Sequence, residues 1–407
     1  MGVSATPVRA GGRPSVAAGD PSAVLPAQHI RSAVAEGWIR AAAGEIPATS
    51  VQPASLDLRL GTVAWPLRCS FLPQADGTVQ ERVDDLAFDE IDLGSGSAVL
   101  ERDRPYLIPL VEELRLPPGV RARTNPKSST GRLDVFTRVV TDGSHRFDEI
   151  RDGYEGRLYL EVVPRSFAIR VEAGLSLNQL RLAVGDARLT DEEVEAVHLE
   201  YPLVYMDSHP IPAGDLSLAG GLFLSVDLDA RAAPGENIVG YRAKKNSDPI
   251  DLSSRGNTWR DYFEPVHAEA GNRIVLEPEI FYLLLSAEAV CIPPRYAAEM
   301  LPYDPTAGEL RTHYAGFFDP GFGYGGESAR HGSRAALEVR ARDVAFMVEH
   351  RQPICKLAFE HLRDEPDALY GADVGSHYQG QDIMLSKHFK EQTAGLGPVP
   401  EAESSTS

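Results

Sequence analysis

The chain has 407 residues, 43% of them hydrophobic, and a formal net charge of −19. Such a length predicts two or three domains with sizeable cores. The acidic balance argues against a nonspecific grip on DNA or RNA, while leaving room for a local basic pocket around one anionic metabolite. In chain order, residues 1–27 are rich in Ala, Gly, Pro and Ser without an apolar signal core and read as a disordered leader. His29–Ala43 has helical periodicity, and Asp191–Ala196 and Arg295–Glu299 are shorter helix candidates. Between them lie short, β-branched runs punctuated by Pro and Gly: Ser55–Leu60, Tyr106–Leu110, Arg157–Val163, Ala168–Val171, Gln179–Leu182, Leu222–Leu228, Ile274–Ser286, Ala335–Val339 and Pro353–Phe359. Many short strands between turn signals predict β-barrels or sandwiches. Residues 391–407 read as a disordered tail. No apolar run approaches about 18 residues, so no membrane-spanning helix is expected.

Four segments recur in order. Pro53-Ala54-Ser55-Leu56-Asp57-Leu58-Arg59-Leu60-Gly61 is echoed by Leu224-Ser225-Val226-Asp227-Leu228, and Tyr106-Leu107-Ile108-Pro109-Leu110 by Glu279-Ile280-Phe281-Tyr282-Leu283-Leu284. Leu160-Glu161-Val162 is echoed by Leu337-Glu338-Val339, and the run after Gly174 by the run after Arg351. The order and similar spacing predict two copies of one β-rich unit, residues 28–205 and 206–390, joined near Tyr205–Asp215.

The densest chemical signal is Asn125-Pro126-Lys127-Ser128-Ser129-Thr130-Gly131-Arg132-Leu133. It gathers two cations, hydroxyls and a glycine, the inventory needed to hold a polyphosphate. Hydroxyl and backbone N–H groups donate to phosphate oxygens, Arg132 adds a planar fork, and Gly131 permits close approach. Glu161 and Glu338 each sit between apolar strand residues, so alternation turns each carboxylate to the face opposite its neighbours. A carboxylate in an apolar setting has the raised pKa that suits general acid-base work. Cys69, Cys291 and Cys355 form no Cys-x-x-Cys pair, and His-x-Glu with Pro-Cys-x-x-Cys is missing. Zinc hydrolysis is therefore disfavoured, and thiols in a reducing cytoplasm are expected. His313 and His331 lack metal-ligand spacing. Asp57 and Asp227, mid-strand at equivalent places, read as structural hydrogen-bonding residues.

Gln52–Gly61, Lys127–Leu133 and the two Leu-Glu-Val triplets together resemble the dCTP deaminase branch of the trimeric dUTPase superfamily, and most closely its long, duplicated bacterial form. The resemblance covers most of residues 28–390. It implies two tandem dUTPase-like β-barrel domains with a few short helices, and metal-independent deamination of dCTP to dUTP. It implies Ser128, Arg132 and a glutamate as catalytic, with Lys127, Ser129 and Gly131 on the phosphates. The halves depart from the family pattern in complementary ways. The second has Met300-Leu301-Pro302-Tyr303-Asp304 where the phosphate motif would stand, yet carries Ala315-Gly316-Phe317-Phe318-Asp319-Pro320-Gly321-Phe322, which is similar to the family's base-binding hairpin. The first half's loop, Phe147 to Gly156, matches that hairpin only loosely. Tyr370 and His377-Tyr378-Gln379-Gly380-Gln381 resemble the family's closing arm. The expectation is a composite site: phosphates held by the N-terminal copy, with Ala315, Asp319, Tyr370, Gln381 and Glu338 supplied by the C-terminal copy. Glu161 stays open as a second or sole catalytic residue. Magnesium is expected to arrive with the triphosphate, without protein ligands. The expected partners are dCTP and dUTP, with no nucleic-acid polymer and no membrane. A cytoplasmic homo-oligomer with sites at domain or subunit interfaces is expected. Two rival activities share the resemblance: a dUTP diphosphatase, alone or combined with deamination and using Asp152 or Asp319 to orient water, and a non-catalytic nucleotide-binding regulator.

Overall fold

The computed structural model describes residues 21–229, 238–301, 316–324, 332–371 and 384–390, and the backbone alone over 310–312. The protein is mainly β, and the repeat read from the sequence is topological. In the first half Leu56–Arg59 pairs with Ser176–Val184, which pairs with Val120–Pro126. In the second half Leu222–Ser225 pairs with Pro353–His361, which pairs with Tyr296–Leu301. The second sheet of each half also matches. Tyr106–Arg115 runs antiparallel to Glu155–Pro164, as Phe281–Val290 does to Ser333–Ala341. Both glutamate-bearing strands therefore occupy the same place in their units.

Three local expectations change. The helix foreseen over His29–Ala43 spans Ala27–Ala35, because Gly37 turns the chain at φ 76°. Ile39–Ala41 then pairs as a strand with Leu114, Glu113 and Glu112. Arg295–Glu299 is not helical: Tyr296–Leu301 is a strand paired along its length to Pro353–His361, and sheet pairing outweighs the helix preference of its alanines. Ile274–Ser286 is two strands, Arg273–Leu276 and Phe281–Val290, separated by a turn with Glu279 at φ 60°. An unforeseen helix, Val79–Leu86, is capped reciprocally by Thr78 and Glu81 and buries Val79, Val83 and Leu86.

Each half has its own core, yet the first core is not built from the first half alone. Leu58, Ile108, Leu160 and Leu180 pack with Trp259, Phe263, Phe281, Leu385 and Phe389. The second core gathers Leu224, Tyr282, Leu337, Val339 and Phe359, together with Val194 and Val197 of the helix Asp191–Glu200. A small sheet also crosses the halves, where Ile250–Asp251 pairs parallel to Ile169 and Arg170. Among the described residues, no helix is long and apolar enough to cross a membrane.

Candidate active site

Val120–Pro126 ends at a proline, and Ser128–Gly131 follows as a single helical turn. The turn is closed by Thr130 and Gly131 N–H donating to the Lys127 carbonyl, at 2.8 and 3.0 Å. Residues four apart share a helix face, and Arg132 Nε donates to Ser128 Oγ at 3.1 Å. Arg132 is buried, and its Nη1 donates to the carbonyls of Met384 and Leu385 at 3.3 and 3.4 Å. Ser386 Oγ donates to the Ser129 carbonyl at 2.8 Å. The end of the second half thus folds onto the phosphate motif of the first. Lys127 Nζ is paired with Asp57.

Glu338 arrives at this motif from the other side. Its strand, Ser333–Ala341, sends Leu337 and Val339 into the second core, so strand alternation turns Glu338 the opposite way. On that same face, Arg340 pairs with the buried Asp134 of the first half. Asp134 also accepts from Ser166 Oγ at 2.5 Å. The docked face brings the Glu338 carboxylate against Gly131. A Cβ on Gly131 would lie 2.5 Å from Glu338 Oε2 and 2.8 Å from Oε1, so only glycine leaves the carboxylate its place. Burial pushes the Glu338 carboxyl well above the usual carboxylate range; the Arg132 guanidinium pulls it down and the Asp134 carboxylate pushes it up.

Glu161 holds the equivalent strand position in different surroundings. Arg138, directly across the strand pair, donates Nε to Glu161 Oε1 at 3.0 Å and engages the same oxygen through Nη2. The Arg138 guanidinium in turn lies 4.2 Å from the centre of the Phe147 ring. Beside this pair, Asp148 accepts from Thr124 Oγ1 at 2.7 Å and Val139 N–H at 2.8 Å, and burial pushes its carboxyl up to about 7. Glu161 is the acid of an internal ion pair, whereas Glu338 faces the phosphate motif.

The hairpin residue Asp319 is buried against the first half. It accepts from Ser55 Oγ at 3.2 Å and pairs with Arg181 at 3.1 Å. Burial raises its carboxyl, Arg181 and Ser55 oppose that shift, and the nearby Asp57 adds to it. Tyr370 packs its ring on Phe322 at 5.6 Å and donates its backbone N–H to Pro320 O at 2.8 Å, so it braces the hairpin. Ala315 and Gln381 lie outside the described residues, as do His313, His331 and the His377–Gln381 segment. Asp152 accepts from Gly119 N–H at 2.7 Å. The structure therefore gathers Ser128, Gly131, Arg132 and Glu338 at one place, with Lys127 and Asp319 linked to it through Asp57 and Ser55.

Several participants carry no visible motif. Arg181, Arg340 and Asp134 are ordinary strand and turn residues in sequence, and only the docking of the two halves buries them together. Arg340 could have been suspected from its spacing, since it shares the Glu338 face of a strand otherwise apolar on its other side.

Comparison with known proteins identifies the family. Residues 21–186 match the family described as 2′-deoxycytidine 5′-triphosphate deaminase (DCD) N-terminal domain, and residues 190–389 match its C-terminal domain. The fold is similar to the crystal structure of 2′-deoxycytidine 5′-triphosphate deaminase from Agrobacterium tumefaciens, with a TM-score of 0.78 and 41% sequence identity, covering 85% of this chain and 99% of that one. No curated protein matches. With both family domains matched in order and a solved relative aligned over nearly its whole length, the chain belongs to the dCTP deaminase family.

Proposed function

We propose that this dCTP deaminase works through Glu338 as general base, in a composite site whose phosphate motif comes from the first half and whose carboxylate comes from the second. Membership of the family carries the overall reaction, dCTP and water to dUTP and ammonia. The observation that supports the assignment of roles is the approach of Glu338 Oε2 to Gly131 within the Ser128–Arg132 turn.

Glu338 takes a proton from water as the oxygen attacks C4 of the cytosine, and passes it to N3. C4 then bears a hydroxyl and the amino group. Glu338 next takes the hydroxyl proton and gives it to the amino nitrogen. The C4–N bond breaks, ammonia leaves and the C4 carbonyl of dUTP remains. A carboxyl raised above the usual carboxylate range suits this shuttle, because its ionised form takes a proton more readily than an ordinary carboxylate does. The charge that Arg132 places beside Glu338 favours its ionised form, opposing the effect of burial, and Ser128 is held by Arg132 where water or substrate would enter. Lys127, Ser129 and Gly131 are assigned to the phosphates, and Ala315, Asp319, Tyr370 and Gln381 to the base pocket and its closing arm. Asp57 is already engaged by Lys127, so magnesium would enter with the triphosphate, coordinated by phosphate oxygens and water. We place the enzyme in the cytoplasm as a homo-oligomer. Asp319 and Asp152 are both committed to protein partners, which does not favour the diphosphatase reading. Incubation of the purified protein with dCTP tests the proposal: ammonia and dUTP are expected. Pyrophosphate release from dUTP without ammonia from dCTP would overturn it.

A further inference from the structure

A cavity of about 190 Å3 opens beside the phosphate motif, lined by Lys127, Ser129, Ser253, Ser254, Arg255 and Lys387 among others. It has room for on the order of six waters, enough for a phosphate group with part of its hydration. Its walls come from both halves. Leu175, Ser176 and Leu177 of the first half form one side, and Leu177 O accepts from Lys127 N–H at 3.0 Å. The opposite wall is a loop of the second half that bears two hydroxyls and a guanidinium, Ser253-Ser254-Arg255, and belongs to none of the repeated segments.

That loop is held firmly. Its stem, Ile250–Asp251, pairs with Ile169 and Arg170, and Leu252 N–H donates to Arg170 O at 3.1 Å. Ser253 N–H and Oγ both donate to Asp251 Oδ1, at 2.9 and 2.7 Å. Asn257 Nδ2 donates to His388 O at 2.9 Å, and Lys390 N–H donates to Asn257 O at 2.9 Å, so the loop is tied to the 384–390 segment. Phe389 anchors that segment against Tyr262 and Phe263, with ring centres 5.7 and 5.9 Å apart.

Resting on the function proposed above, we propose that the Ser253–Arg255 loop and Lys387 form a second wall of the phosphate site that binds the terminal phosphates of the nucleotide. Lys127 and Ser129 begin the cradle, and the second half completes it. The electrostatics fit an anion. Burial, Lys127 and Arg255 together hold the Lys387 ammonium down at about 8, against the opposing pull of Asp57. His388, half-buried beside Lys387, is held down at about 4 by burial and the neighbouring cations and stays neutral near pH 7.

The test uses the full chain and two readouts. Arg255 and Ser253 are exposed, so their substitution leaves the fold intact. Arg255→Ala is expected to raise KM for dCTP by about 10- to 100-fold, the range for losing a charge-assisted contact, with kcat changed less than about threefold. Arg255→Lys restores part of the loss. Inorganic tripolyphosphate, titrated calorimetrically, binds the wild type and binds Arg255→Ala at least about tenfold more weakly. Lys387→Met likewise weakens tripolyphosphate binding at least about tenfold. An unchanged KM and unchanged tripolyphosphate affinity in Arg255→Ala would overturn the proposal. Should the wild type fail to deaminate dCTP, the functional reading falls, and the tripolyphosphate comparison alone decides the cradle.

Discussion

Glu338 is costly to bury, and the cost has a sign. Its carboxyl lies well above the ordinary 4.5 in the folded chain. A carboxyl raised on folding favours the folded state only while protonated, so the stability it allows below the unfolded pKa is lost as pH rises through the folded one. Glu338→Gln removes that dependence. Urea unfolding at several pH values is expected to show the variant gaining on the wild type as pH rises above 4.5, and a constant difference would contradict it. On the proposed role of Glu338 as general base, the same titration governs turnover, since the base must be ionised. The acid limb of kcat/KM therefore sits above the usual carboxylate range and activity falls as pH drops through it. Arg132 pulls the Glu338 pKa down, so Arg132→Ala is expected to move this limb to higher pH, raise KM and lower kcat. A limb that stays in place would separate Arg132 from Glu338. Ser128, Gly131 and Arg132 were legible in sequence as a candidate phosphate motif because such a motif is local. Choosing between Glu161 and Glu338 was not, because the two triplets are chemically alike and differ in what lies across from them: Arg138 against one, Gly131 against the other.

At the level of elements, Ser333–Ala341 does two jobs with one face. Glu338 reaches the motif, and Arg340 locks the strand to Asp134. Arg340→Leu leaves a buried Asp134 without its cation, a defect that typically costs about 3–5 kcal/mol. We expect lower stability in urea and a kcat reduced roughly tenfold or more through misplacement of Glu338; unchanged kcat would show that Arg340 does not position the base. Neither the pair nor its consequence is visible in sequence, since Asp134 and Arg340 lie on different halves. Strands were easier to read than helices. Apolar alternation located both glutamate strands, whereas Tyr296–Leu301 has an alanine-rich core that local preference reads as helix and the sheet draws into a strand. The Val79–Leu86 helix was within reach, because Thr78-x-x-Glu81 is a capping signal in its own right.

On the scale of the whole molecule, the halves meet through opposite charges. Arg123 and Arg181 of the first half face Glu299, Glu360 and Asp319 of the second. Arg181 and Glu360 are both about 1% exposed, so each depends on the other to offset its desolvation. Arg181→Met is expected to lower stability by about 3–5 kcal/mol and to raise KM for dCTP, because Asp319 and the hairpin lose their anchor; calorimetric unfolding and steady-state kinetics check the two effects. The duplication itself was readable from repeated strands. What they could not reveal is that Phe263, Phe281 and Phe389 of the second half complete the core of the first, so the two copies share a core and, on the proposed reading, one site. That unity is the central claim, and the dCTP turnover of two single variants tests it most directly. Glu338→Gln is expected to lose at least about 100-fold in kcat, while Glu161→Gln, which loosens only the pair with Arg138, retains turnover close to the wild type. Abolished turnover in Glu161→Gln with Glu338→Gln unaffected would contradict the account.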